Sequence, residues 1–135
     1  MDAAKALALY KAMDGIIRKG LLASAATPAM GGLGVAAAKS AMGGRLGLEL
    51  DLTKVPHTAG MSDVEILFSE SNSRFLVSCP PEKSAELEKA LAGFTFAKVG
   101  RTNNSGILSV KGTGADFSIP LEALIESYKT TLAGV

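Results

Sequence analysis

Apolar positions spaced three or four apart open the chain. Leu7, Tyr10, Met13, Ile16 and Ile17 share one face between residues 2 and 19, with Lys5, Lys11 and Lys19 turned away. That spacing predicts an amphipathic helix, favoured by its alanines and ended by Gly20. Residues 21–26 form a short apolar run that predicts a strand, closed by Thr27-Pro28. Gly31-Gly32-Leu33-Gly34 reads as a loop feeding a small-residue helix over 35–42, stopped by Gly43-Gly44. So many alanines and glycines suggest close packing against something flat, such as a sheet. Leu46, Leu48, Leu50 and Leu52 then alternate with Gly47, Glu49 and Asp51, the period of a half-buried strand.

The second half is less regular. Residues 54–61 predict a loop carrying His57, and 63–68 a short helical turn. Residues 74–79 predict a strand with Phe75 and Val77 on one face. Pro80-Pro81 ends it, and Pro81 suits the first turn of a helix running to Leu91. Residues 96–101 and 107–111 predict a hairpin around Asn103-Asn104-Ser105-Gly106. A last helix begins near Pro120 and buries Leu121, Leu124, Ile125, Tyr128 and Leu132. No repeat, linker or low-complexity tract divides the chain. One α+β domain over residues 1–135 is expected, a mixed β-sheet flanked by helices.

Composition narrows the function classes. Hydrophobic residues make up 47% of the chain, charged residues 20%, and the formal net charge is +1. These values fit a globular domain and not a disordered chain. The basic residues are interspersed with acidic ones, which argues against nucleic acid as a partner. No apolar run approaches the ~20 residues needed to span a bilayer, so no membrane partner is expected. Asp2, Lys5, Lys11 and Asp14 interrupt the apolar character a signal peptide needs, so a cytoplasmic location is expected. The single cysteine, Cys79, excludes an internal disulfide and a multi-thiolate metal site.

Two segments carry candidate chemistry. Gly31, Gly32 and Gly34 stand at a helix start, where free N–H groups and the helix dipole favour an anion such as phosphate. The alternative is that tight packing requires them. Ser69-Glu70-Ser71-Asn72-Ser73-Arg74 joins carboxylate, amide, hydroxyls and guanidinium directly before a strand. It suits recognition of a sugar, phosphate or amide, or else a turn in which Glu70 and Arg74 pair internally. His57 has no second ligand at metal spacing and reads as a loop histidine. No acid, base and nucleophile assemble, so neither a catalytic nor a metal site is expected.

The run from Ser24-Ala25 through Gly31-Gly32-Leu33-Gly34-Val35-Ala36, then Gly43-Gly44-Arg45-Leu46-Gly47 and Leu67-Phe68-Ser69-Glu70-Ser71-Asn72-Ser73-Arg74, resembles the phosphoribosylformylglycinamidine synthase family. The likeness is to its last domain, of the aminoimidazole-ribonucleotide-synthetase C-terminal kind. Val99-Gly100-Arg101, Leu108-Ser109-Val110 and Ile119-Pro120-Leu121-Glu122-Ala123-Leu124 fit in order, so the resemblance spans nearly the whole chain. It implies a partly ferredoxin-like sheet. It also implies a parent enzyme that uses ATP and magnesium to convert formylglycinamide ribonucleotide to its amidine with glutamine-derived ammonia.

By the same resemblance, Glu70, Ser71, Asn72 and Arg74 would face substrate, with Asn72 standing where the active half has glutamine. Thr27 and Met30 replace acidic positions, and neither is a hard-cation ligand. The expectation is therefore a non-catalytic domain, itself a piece of a larger chain and holding no cofactor tightly alone. Implied partners are N-terminal-type synthetase domains of the parent chain and a glutaminase domain or subunit, with a homodimer as a further possibility. Alternatives are another superfamily member (aminoimidazole ribonucleotide synthetase, selenophosphate synthetase or thiamine-phosphate kinase) or a free-standing phosphate-binding or oligomerisation module.

Overall fold

The computed structural model of the chain describes residues 2–130. Helix α1 (Ala3–Arg18) starts where the Asp2 carboxylate accepts hydrogen bonds from the Ala4 and Lys5 N–H groups. A short strand β1 (Ser24–Ala26) leads to α2 (Gly32–Gly44) and strand β2 (Gly47–Asp51). A single 3-10 turn, Leu52–Lys54, follows. Helix α3 (Asp63–Phe68) is fixed by a reciprocal cap, Ser62 and Glu65 each bonding the other's backbone. Then come β3 (Leu76–Ser78), a 3-10 turn at Pro81–Lys83 and α4 (Ser84–Ala90). Strands β4 (Gly100–Asn103), β5 (Ile107–Lys111) and β6 (Asp116–Pro120) precede α5 (Leu121–Thr130).

The strands form two sheets. β1 and β3 make an antiparallel ribbon, and four strands run in the order β4-β2-β5-β6. β2 and β5 are parallel at the centre, and both edges are antiparallel. This is the expected mixed α+β arrangement, sharing with ferredoxin-like sheets a central parallel pair between antiparallel edges. The pleat sends Leu48, Leu50, Leu108 and Val110 to a main core with Leu33 and Ala37 of α2, Ile66 and Leu67 of α3, and Leu124 of α5. A second core joins Met13, Ile16, Leu21, Leu87 and Leu91. β3 divides the two by alternation: Leu76 packs on the first, Phe75, Val77 and Cys79 on the second.

Several expectations are corrected. β4 and β5 do not pair with each other, because β2 lies between them. The link from β4 to β5 passes over Gly47, where a Cβ would collide with Asn103 Oδ1 and Ser105 Oγ. A bare backbone at that position lets a hairpin-like connection straddle a third strand. β6 lies where no strand was expected, its Phe117 and Ile119 opposite Val110 and Leu108. The second helix starts at Gly32 and not at residue 35, and beyond the sheet it packs on α3.

On α1 only Met13 and Ile16 are buried; Leu7, Tyr10 and Ile17 are 54%, 46% and 56% exposed. The second core is too small to cover the whole apolar stripe. In α5, Leu121 is buried, Leu124 and Ile125 are half-buried and Tyr128 is exposed, while Leu132 lies outside the described residues.

Candidate functional site

The two candidate segments, 39 residues apart, meet in space: the Gly31 N–H donates to Glu70 Oε1 at 2.8 Å. Gly31 caps α2 in the left-handed region, at φ 82°. Gly32 also has positive φ, 62°, and a Cβ there would lie 2.6 Å from the Leu67 carbonyl oxygen. At Gly34 a Cβ would touch Leu67 Cδ2 and Phe68 Cε1 at 3.4 Å. The glycines therefore let α2 lie against the end of α3, which delivers residues 69–74 to the glycine turn. The anion at the α2 N-terminus is the protein's own carboxylate, in the position the dipole favours.

Glu70 and Arg74 do not pair with each other. Arg74 Nη1 donates to Ser69 carbonyl oxygen at 3.2 Å and to Ser69 Oγ at 3.0 Å, while Glu70 bonds Gly31. Ser73 adopts φ 59°, a left-handed conformation that costs an L-residue about 1–2 kcal/mol. Tyr10 of α1 meets it, with hydroxyls 2.7 Å apart, and the Tyr10 ring stands edge-on to Phe75. Ser71 and Asn72 are left exposed between these anchors.

A cleft of about 350 Å³ opens beside the segment, between it and the loop at 55–61. Ser69, Ser71 and Arg74 line one side; His57, Thr58 and Thr95 complete its polar rim over Ile66 and Met61. His57 Nδ1 lies 2.6 Å from the Val55 carbonyl oxygen. A carbonyl only accepts, so Nδ1 carries the proton and Nε2 remains for another partner. His57, Thr58 and Thr95 had no sequence signal as site residues, because no spacing connects them to residue 74.

A smaller hollow of about 140 Å³ beside the glycine turn is lined by Thr27, Met30 and Lys39 among others. It offers a hydroxyl, a thioether and an ammonium, and no carboxylate. That donor set does not fit magnesium, which demands oxygen ligands and usually carboxylates. Among the described residues, no three His, Cys, Asp or Glu side chains are grouped to hold a metal ion.

The remaining strong polar interactions are architectural. Asp63, at the start of α3, accepts from the N–H groups of Gly114 (2.6 Å), Ala115 (2.7 Å) and Thr113 (3.3 Å) and from Thr113 Oγ1 (3.1 Å). Those bonds, the Gly114 N–H foremost, hold its carboxyl below the ordinary aspartate range. Glu49 accepts a two-pronged guanidinium from Arg101 across the β2–β4 pair, with Asn103 as a third donor. The bonded Arg101 keeps the Glu49 carboxyl below the usual glutamate range.

This fold and this chain pattern define a known domain class. The family described as AIR synthase related protein, C-terminal domain, matches residues 1–113, and the chain belongs to it. A relative from Corynebacterium glutamicum, phosphoribosylformylglycinamidine synthase subunit PurL, is 38% identical over 104 residues, covering 76% of this chain. The chain spans 13% of that relative's length. A crystal structure of phosphoribosylformylglycinamidine synthase II from Thermotoga maritima superposes at a TM-score of 0.80, covering 92% of this chain and 22% of that one, at 24% identity. Thermotoga maritima PurL complexed with ATP superposes at 0.76, covering 86% of this chain and 21% of that one, at 25% identity. No helix among the described residues is long and apolar enough to cross a membrane.

Proposed function

We propose that these 135 residues form a single non-catalytic C-terminal-type domain of a PurL-type phosphoribosylformylglycinamidine synthase. Its role is to shape and stabilise a nucleotide site whose reacting groups, ATP and magnesium sit on N-terminal-type domains of the parent chain. A glutaminase domain or subunit supplies the ammonia. The observation that carries this reading is the Glu70–Gly31 bond, because it makes glycine turn and polar segment one rigid unit. That unit presents Ser71 and Asn72 outward while Arg74 is held by Ser69. Rigid presentation of polar groups without an acid–base–nucleophile set is what a supporting wall of an active site requires. That Thr27 and Met30 supply no metal ligand supports assigning the domain to a degenerate half of the enzyme.

The test has two arms. The chain alone, given ATP, formylglycinamide ribonucleotide and ammonia, is expected to show no turnover. Added in trans to a PurL-type synthase lacking its own C-terminal-type domain, it is expected to restore activity. Turnover by the chain alone would sink the non-catalytic reading. Failure to restore any activity, with the two proteins shown to associate, would sink the assignment to this synthase.

A further inference from the structure

We infer that Tyr10 of α1 is a conformational latch: its hydroxyl holds Ser73 in the left-handed region and so fixes how Ser71 and Asn72 are presented. Among the described residues only two that are not glycine have positive φ, Arg45 at 53° and Ser73 at 59°. Arg45 ends α2, a common place for a left-handed residue, and its N–H bonds the Met42 carbonyl. Ser73 ends no helix; it stands in a bend ahead of β3. An L-residue avoids that conformation by a factor of about 5 to 30, so the surroundings must hold it there.

The hold comes from α1. The Tyr10 and Ser73 hydroxyls are 2.7 Å apart. The Tyr10 ring meets Phe75 edge-on, with centroids 6.0 Å apart and planes at 86°. Phe75 in turn packs on the second core, where Met13 and Ile16 anchor α1. The Glu70–Gly31 and Arg74–Ser69 bonds fix the two flanks of the turn, so an opening at Ser73 stays local to Ser71, Asn72 and Ser73.

One neutral hydrogen bond favours the closed turn about two- to twelvefold, the same order as the strain that opposes it. The turn is therefore poised, and the Tyr10 hydroxyl tips the balance. Tyr10 acts through Ser73 and is a positioning residue. It lies about 9 Å along the helix from the buried Ile16, so a tilt of about 5° at that anchor moves it about 0.8 Å and breaks the bond. The position of α1 and the shape of the polar segment thereby form one two-state unit. The latch stands on the chain's own contacts, whatever the restoration assay shows.

The experiment is nuclear magnetic resonance on the 135-residue chain. Backbone carbon shifts of Ser73 report its φ, and relaxation dispersion over residues 71–74 reports the fraction of open turn. Tyr10→Phe keeps the ring against Phe75 and deletes the hydroxyl. It is expected to raise the open fraction about fivefold, with shift changes centred on residues 69–75. Ser73→Gly removes both the strain and the partner hydroxyl, so adding Tyr10→Phe to it is expected to change the open fraction less than about twofold. A lower melting temperature in Tyr10→Phe with an unchanged open fraction would assign Tyr10 to packing alone and overturn the proposal. An equal rise in both backgrounds overturns it as well, because the effect would then not pass through Ser73.

Discussion

Replacing Gly32 by alanine is expected to destabilise the chain sharply, whereas the same change at Gly43 in the same helix stabilises it. The Gly32 Cβ would sit 2.6 Å from the Leu67 carbonyl oxygen and 2.8 Å from the carbonyl carbon and Cα of Phe68. Those are backbone atoms, so relief requires α2 and α3 to separate. Such overpacking costs about 1–3 kcal/mol. The φ of 62° adds about 1–2 kcal/mol for an L-residue, and no helix-propensity gain offsets it at a non-helical φ. The sum is roughly 2–5 kcal/mol. At Gly43 nothing lies within 4 Å and φ is not positive, so alanine gains about 0.5–1 kcal/mol of helix propensity. Urea unfolding of both variants at constant m-value measures the difference, and a domain of this size should shift about 3–5 °C per kcal/mol in melting. A Gly32→Ala cost below about 0.5 kcal/mol would refute the packing account and return the glycines to a ligand-binding explanation.

Three further outcomes follow from the same contacts. Glu70→Ala removes the carboxylate from the α2 N-terminus and is expected to cost about 1 kcal/mol, with Glu70→Gln recovering part of it; equal losses in urea unfolding would deny the capping role. Gly100→Ala places a methyl group on the Glu49 carbonyl and is expected to cost about 2 kcal/mol or more; a neutral result would mean that β4 does not lie against β2. For Asp63, the unfolded chain takes up its proton near the ordinary aspartate pKa of about 3.9, the folded chain only at lower pH. Its contribution is therefore complete above that value and is lost as pH falls through the depressed folded pKa. Melting temperatures from pH 6 to pH 2 are expected to fall less steeply in Asp63→Asn than in the parent chain, and parallel curves would contradict this.

What the sequence determined by itself was local. The three-to-four spacing of α1 and the alternation of β2 are periodicities, readable over a few residues. The family resemblance was equally legible, because Leu67 to Arg74 and the glycine run are contiguous.

What only tertiary structure decided was which local elements meet. Asn103 to Gly106 has hairpin chemistry, yet β2 enters between its arms, since pairing across a sheet is set by long-range burial of Leu48 and Leu50. Gly32 read either as a ligand's glycine or as one that tight packing requires, and its neighbour is the backbone of Leu67 and Phe68, 35 and 36 residues on. Glu70 looked like a partner for Arg74, but the strained Ser73 between them turns the chain and sends the two to different anchors. His57 and Thr95 carried no signal until the fold set them beside Arg74. A side chain's partners depend on three-dimensional proximity, which spacing along the chain encodes only within a single helix, strand or turn.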